Sequence, residues 1–535
     1  MEMDVKSLPL LGCILLSSAA MAAVPDCIRL DELSPSIEGI HNSEGHSCLL
    51  VEISNKQYIR QEGDGISEAV LSGNDKQPIR VLVQHLPQTE PHSVSYIVPK
   101  QGQYYLNLQG APEQPWHLKF NLTDYQPLAI EAEHKIDSPK LQALLDAHKQ
   151  EKTTDAFWRE VKAQGTPLVE EYKKGQKKVT FLWRGATANA YILGAPSGNH
   201  ETMAHIPNTD IWYRTFIVPK DTLSQYKIAP DVPKVTEGGF AQRKAILATA
   251  QADPFNAHGI PSFATDRYNR FSLLSLAPEK RQCDFAKIEG HQRKGRLESF
   301  NFHSNLLNND RQIYLYRPAV AMSKPSVLVL LDGQTYLHTY KMADFFDKWM
   351  SEGAIPPMYV VFLDSISSER RNVELPPNPD FPKMLSKELM PVLATKGIQA
   401  PAQSTIIAGS SYGGLGATWN ALSHPELFGN VLSMSGSYWW APKGKEPEWL
   451  IREIEQMSKK PLRFYLEAGL FEQRGSWGGI IQNHYRLLDV LKHKGYQVEA
   501  TELPSGHDYV SWCETLYTGT RYLMAEVAYL IWPPE

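Results

Sequence analysis

After residue 305 the chain alternates short apolar runs with helical patterns, and that alternation limits its possible folds more than any other feature. The runs are Gln312–Tyr316, Val327–Leu331, Tyr359–Leu363, Thr405–Ala408, Val431–Met434 and Phe464–Leu466. Strands apolar on both faces must be covered on both faces, so the pattern predicts a mostly parallel sheet layered between helices, an α/β fold.

Within that pattern, Gly409-Ser410-Ser411-Tyr412-Gly413 falls between the strand Thr405–Ala408 and a helical stretch over Leu415–Leu422. A G-x-S-x-G turn from strand to helix is the layout of a nucleophile elbow, which lifts a serine hydroxyl above the carboxyl edge of an α/β-hydrolase sheet. Ser411 is the candidate nucleophile. A serine hydroxyl needs a base beside it and an acid behind the base. His507, in Ser505-Gly506-His507-Asp508 after the strand Gln497–Leu503, is placed to be that base. For the acid, Glu472 in the loop beyond Gly469 is favoured over Glu467, which falls inside the preceding strand, and Asp508 ranks third as an immediate neighbour of the imidazole. The oxyanion of an acyl transfer needs two amide donors. Tyr412 supplies one, and Gly333 or Gln334, after the strand Val327–Leu331, the other.

Upstream the periodicity is two. Ser93–Val98, Tyr104–Leu108 and Trp116–Leu122 alternate between Gly and Pro turns and predict a β-sandwich over 23–135. A helical connector is expected over 136–165. An immunoglobulin-like sandwich with a long, weakly patterned connection is expected over 166–300, and the catalytic domain over 301–535. Residues 1–22 have the apolar run and A-x-A ending of a signal peptide, and no later run is long enough to span a bilayer. A periplasmic or secreted location is therefore expected, without stable membrane insertion.

Composition mainly excludes. With 42% hydrophobic and 21% charged residues and a net charge of −5, the chain is of ordinary globular type and lacks the basic surface that a nucleic-acid partner requires. Cys27, Cys48, Cys283 and Cys513 remain after the leader and show no C-x-x-C spacing, so a metal site is not expected. Cys27 with Cys48 and Cys283 with Cys513 is the pairing favoured among three, four buried thiols being the alternative.

Taken in order, Leu330–Gln334, Arg371–Pro376 with Asn378 and Asp380-Phe381, Ala408–Leu415, Ser435-Gly436-Ser437-Tyr438-Trp439-Trp440, Leu466–Gly469 and Gly506–Asp508 resemble the blocks of the enterochelin esterase (ferric enterobactin hydrolase) family. The resemblance extends weakly to Phe181–Arg184, Tyr226–Ile228 and Ala252–Asn256, covering about 175–530. It implies a serine esterase that needs no cofactor and cleaves the ester bonds of a tris-catecholate trilactone siderophore, free or as its ferric complex. Arg371, Tyr438, Trp439 and Trp440 are the cation and aromatic faces such a ligand would meet, with Glu374 orienting Arg371. The leader and the module at 23–135 depart from the family's cytoplasmic members. A feruloyl or acetyl-xylan esterase, and a siderophore-binding protein without turnover, are the alternative readings.

Overall fold

The computed structural model describes residues 27–529, except 31–34, 88–89, 99, 130–134, 195, 265, 323 and 474–478. The expected signal peptide lies outside the described residues. Among those described, no helix is long and apolar enough to cross a membrane.

An eight-stranded sheet forms the C-terminal region. Its order is Arg296–Ser304, Asn309–Arg317, Tyr359–Leu363, Val327–Leu331, Thr405–Ser410, Asn430–Met434, Arg463–Gly469, Gln497–Leu503. The first two strands form an antiparallel hairpin, the second also pairs antiparallel with Tyr359–Leu363, and all later pairings are parallel. The central strands read as unbroken apolar runs because each face has its own core. Leu328, Leu330, Ile406 and Leu432 point to one side with Trp349 and Leu516, while Val329, Leu331, Ile407 and Val431 point to the other with Leu415 and Leu487. Successive side chains of a strand alternate faces, so one strand serves both cores.

Two sandwiches precede this sheet. The first joins a five-stranded sheet containing His46–Ile53 and Gly102–Gln109 to a four-stranded sheet containing Gln57–Asp64 and Pro115–Asp124, around Leu49, Ile59, Leu106 and Trp116. The second packs a four-stranded sheet around Gln176–Arg184 and Ile211–Pro219 against a five-stranded sheet around Leu223–Pro230 and Phe271–Ser275. Disulfides join Cys27 to Cys48 and Cys283 to Cys513.

The structure adds detail to three local expectations. The connector is two helices, Pro139–His148 and Asp155–Gln164, because the polar run Gln150–Thr154 has no apolar face to bury and the second helix restarts after it. Residues 230–300 are more ordered than their weak periodicity implied: they hold the helix Gly239–Thr249, and Phe271–Ser275 completes the second sandwich. The catalytic sheet also begins earlier than residue 301, at Arg296, whose strand lies at the sheet edge and buries only two of its nine residues, so it lacks the apolar run that marks a central strand.

Candidate active site

The carboxyl ends of neighbouring strands deliver the site. Ser411 follows Thr405–Ser410 and stands immediately before the helix Tyr412–Ser423 with φ 58° and ψ −122°. Asp332 (φ 56°) and Ser435 (φ 45°) end the strands on either side in the same left-handed region. Non-glycine residues held there cost on the order of 1–3 kcal/mol each and cluster where a fold over-determines them for function. The elbow is tight enough to require glycine at 409, where a Cβ would lie 2.5 Å from the Gly413 carbonyl.

His507 follows the last strand, and its Nδ1 is 2.5 Å from Glu472 Oε1. The Glu472 carboxylate is only 4% exposed, and its other oxygen accepts hydrogen bonds from Ser435 Oγ and the Gly469 amide, both at 2.7 Å. Trp512 packs edge-on against the His507 ring at 4.9 Å and donates its indole N–H to Ser435 Oγ at 2.9 Å. The Nδ1 contact and the indole edge together hold the imidazole in one orientation.

The other two carboxylates occupy different surroundings. Glu467 is buried inside its strand with neither carboxyl oxygen hydrogen-bonded, and burial, reinforced by Glu472 and Asp508, pushes it well above the usual carboxylate range. A group kept neutral cannot stabilise an imidazolium. Asp508 accepts from Ser224 Oγ and the Ser511 amide, and burial raises it to about 6.

Ser411 Oγ lies 3.3 Å from Ser437 Oγ, and among the described residues no hydrogen bond joins it to His507. Catalytic contacts of this kind are often loose before substrate binds. Tyr412 begins its helix, where amides have no intrahelical acceptor, and Gly333 and Gln334 stand at the turn that opens the segment after Val327–Leu331. Gln334 also accepts from the Ser365 amide, tying this turn to the neighbouring loop.

The residues assigned to substrate contact divide. The Arg371 guanidinium is held by both oxygens of Asp332 at 2.8 Å and lies 5.7 Å from the centre of the Tyr412 ring. Glu374 does not orient it: at the last position of the helix Ser368–Glu374 it is buried and accepts from Arg311 and Asn309 instead. Tyr438 is also no contact surface. It is 2% exposed, donates and accepts among Ser433, Thr418 and Gly414, and burial pushes its hydroxyl up to about 12. Trp440 packs against Trp449, leaving half-buried Trp439, 6.0 Å from Tyr412, as the aromatic beside the elbow.

Comparison with known proteins supplies two matched segments. Residues 304–523 match the family model described as "Putative esterase" and 178–283 the one described as "Enterochelin esterase, N-terminal". The iron(III) enterobactin esterase of Dickeya dadantii is 27% identical over 414 residues, 69% of this chain and 93% of that protein. The iron(III) salmochelin esterase of Escherichia coli O6:H1 is 27% identical over 393 residues, with the same shares covered. The Shigella flexneri enterobactin esterase, crystallised in the presence of enterobactin, superposes with a TM-score of 0.58 at 24% identity, covering 70% of this chain and all of that one. The chain is an esterase that is similar to the enterochelin esterases over both matched segments.

In this esterase the serines of the Ser435–Trp440 block do more at the site than its aromatic residues. Ser435 orders Glu472, and the Ser437 amide donates to the Ser411 carbonyl at 3.0 Å while its hydroxyl meets the Ser411 hydroxyl. The sequence signal is the block itself, in which the serines precede bulky rings that suggest a contact surface. Asp332, at the turn after Val327–Leu331, is the residue that positions Arg371.

Proposed function

We propose that this esterase hydrolyses the ester bonds of a tris-catecholate trilactone siderophore of the enterobactin type, using Ser411, His507 and Glu472. The observation that carries the reading is the Glu472–His507 hydrogen bond beside a strained Ser411, in a chain whose relatives are named for this substrate class. Ser411 Oγ turns from Ser437 toward His507 Nε2, loses its proton to it and attacks the ester carbon. The amides of Tyr412 and of Gly333 or Gln334 bind the tetrahedral oxyanion. His507, as imidazolium held by Glu472, then protonates the departing serine alkoxide, and the same groups activate water to release the acyl-enzyme.

Arg371 is kept cationic but already paired, so it offers edge N–H groups and a face to catecholate oxygens without an unneutralised charge. We assign the chain to the periplasm or the secreted fraction on the A-x-A leader at 1–22 and the two disulfides, which suit an oxidising compartment.

Mass spectrometry of products from ferric and iron-free enterobactin tests the reading. Linear dihydroxybenzoylserine fragments should form with wild type and not with Ser411→Ala. Intact trilactone alongside rapid cleavage of feruloyl esters would transfer the assignment to a carbohydrate esterase.

A further inference from the structure

The first sandwich lies before both family-matched segments, yet it walls a cleft that Asp332, Gln334 and Arg371 also line. A cleft of about 570 Å³ has Gln334, Arg371 and Tyr509 on one side, and residues 81–86 and 91–94 of the first sandwich on the other. Gln334 and Arg371 belong to the candidate site, and Tyr509 follows His507 by two positions. The sandwich wall is fixed in place. Glu90 receives Arg370 at 3.2 Å, the Val81 amide donates to Asp266 at 3.0 Å, Asn269 donates to the Val81 carbonyl at 2.9 Å, and Arg80 to the Ala248 carbonyl at 2.6 Å. Across the cleft the His85 ring stands 5.5 Å from His338, which meets Tyr314 edge-on at 4.9 Å. Phe263, 55% exposed, lines the same space. Exposed ring faces converging on one cleft are a surface for a planar aromatic group, which binds by offset or edge contacts.

We propose that the first sandwich is the far wall of the substrate cleft and that His85 and His338 form a stacking subsite for an aromatic arm remote from the scissile ester. The subsite rests on the siderophore reading only for the identity of that arm, a catechol ring. A substrate with several arms would place one here while the ester of another meets Ser411; a small ester would reach Ser411 without touching this wall.

The test uses full-length, disulfide-intact protein and the variants His85→Ala, His85→Phe and His338→Ala. His338 stands on the catalytic side and covers the case in which changing His85, at φ 57°, disturbs its loop. Calorimetric binding of 2,3-dihydroxybenzoylserine and steady-state kinetics on enterobactin and on p-nitrophenyl acetate are measured. Both alanine variants should weaken the probe and raise KM for enterobactin about three- to tenfold, with kcat and the acetate reaction unchanged and His85→Phe restoring affinity. Unchanged binding and KM in both alanine variants, equal losses on the small ester, or no probe binding to wild type would overturn the subsite. A wild type that cleaves p-nitrophenyl acetate but never enterobactin sinks the trilactone reading alone, and the subsite is then decided by whether the probe binds wild type more tightly than His338→Ala.

Discussion

The two sandwiches are built alike and attached differently. The second is fused to the catalytic region: Leu223 and Cys283 sit in the same core as Leu328 and Trp512, and Phe471 packs into the second sandwich's own core. It grips the loops that carry His507 and Glu472, through Ser224 Oγ on Asp508, the Leu223 amide on the Pro504 carbonyl, and Phe471 next to Glu472. The first sandwich is joined to the catalytic region by Arg370–Glu90, and to the second sandwich by Lys56–Asp231, Arg60–Glu237 and a small apolar core in which Tyr58 packs with Tyr191, Ala229 and Ile246. Shared apolar burial makes one cooperative unit, whereas part-exposed ion pairs each contribute little. The second sandwich is therefore part of the catalytic region's rigidity, whereas the first makes its shared apolar core with the second sandwich and meets the catalytic region through the Arg370–Glu90 pair.

The strongest attempt to break this contrast is Glu472→Gln. It should lower kcat on the order of 10³-fold with thermal stability nearly unchanged, because the chemistry resides in the catalytic region and neither sandwich can substitute for the carboxylate. Steady-state kinetics with a small ester, alongside a melting curve, check it.

Next in size is removal of the Cys283–Cys513 link by a double serine variant, which should cost about 2–5 kcal/mol in denaturant unfolding. This link closes a separation of 230 residues between the second sandwich's connection and the C-terminal helix Tyr509–Tyr529, against 21 for Cys27–Cys48. Loss of Cys27–Cys48 should therefore destabilise less and leave kcat on the small ester unaltered.

Asp508 sharpens the fused interface through pH. Its folded-state value, raised to about 6, exceeds that of the unfolded chain, so the folded state holds the extra proton between about pH 4 and 6. Stability from this group is present below that window and is lost as pH rises through it, by on the order of 1–3 kcal/mol. Asp508→Asn keeps an acceptor for Ser224 and should flatten the slope of unfolding free energy over that range.

Smallest is Glu90→Gln, which releases Arg370, itself 39% exposed, and should cost no more than about 1 kcal/mol. Turnover of a small ester should not change. A melting loss as large as that of the disulfide variant would show that the first sandwich is fused as firmly as the second.

Much of the catalytic region was legible. Central strands announce themselves as apolar runs, and an elbow needs glycine at defined offsets, so Val327–Leu331, Thr405–Ser410 and the Ser411 turn were readable from local spacing alone. The edge strand Arg296–Ser304 was not, since a largely unburied strand carries no such run. Exposure of individual side chains was also hidden: Tyr438 and Trp439 are adjacent and equally aromatic, yet one is sealed among Ser433 and Thr418 and the other borders the site.

The sequence by itself determined the layered sheet, the serine at its elbow and the histidine after its last strand, because periodicity and turn chemistry act over a few residues. Only the tertiary structure decided that Glu472 meets His507 while Glu467 lies buried and unpaired, that Asp332 rather than Glu374 holds Arg371, and that the first sandwich lines the cleft. Those outcomes depend on strand order and on which loops converge at one sheet edge, and contacts between residues tens to hundreds of positions apart leave no mark in local spacing.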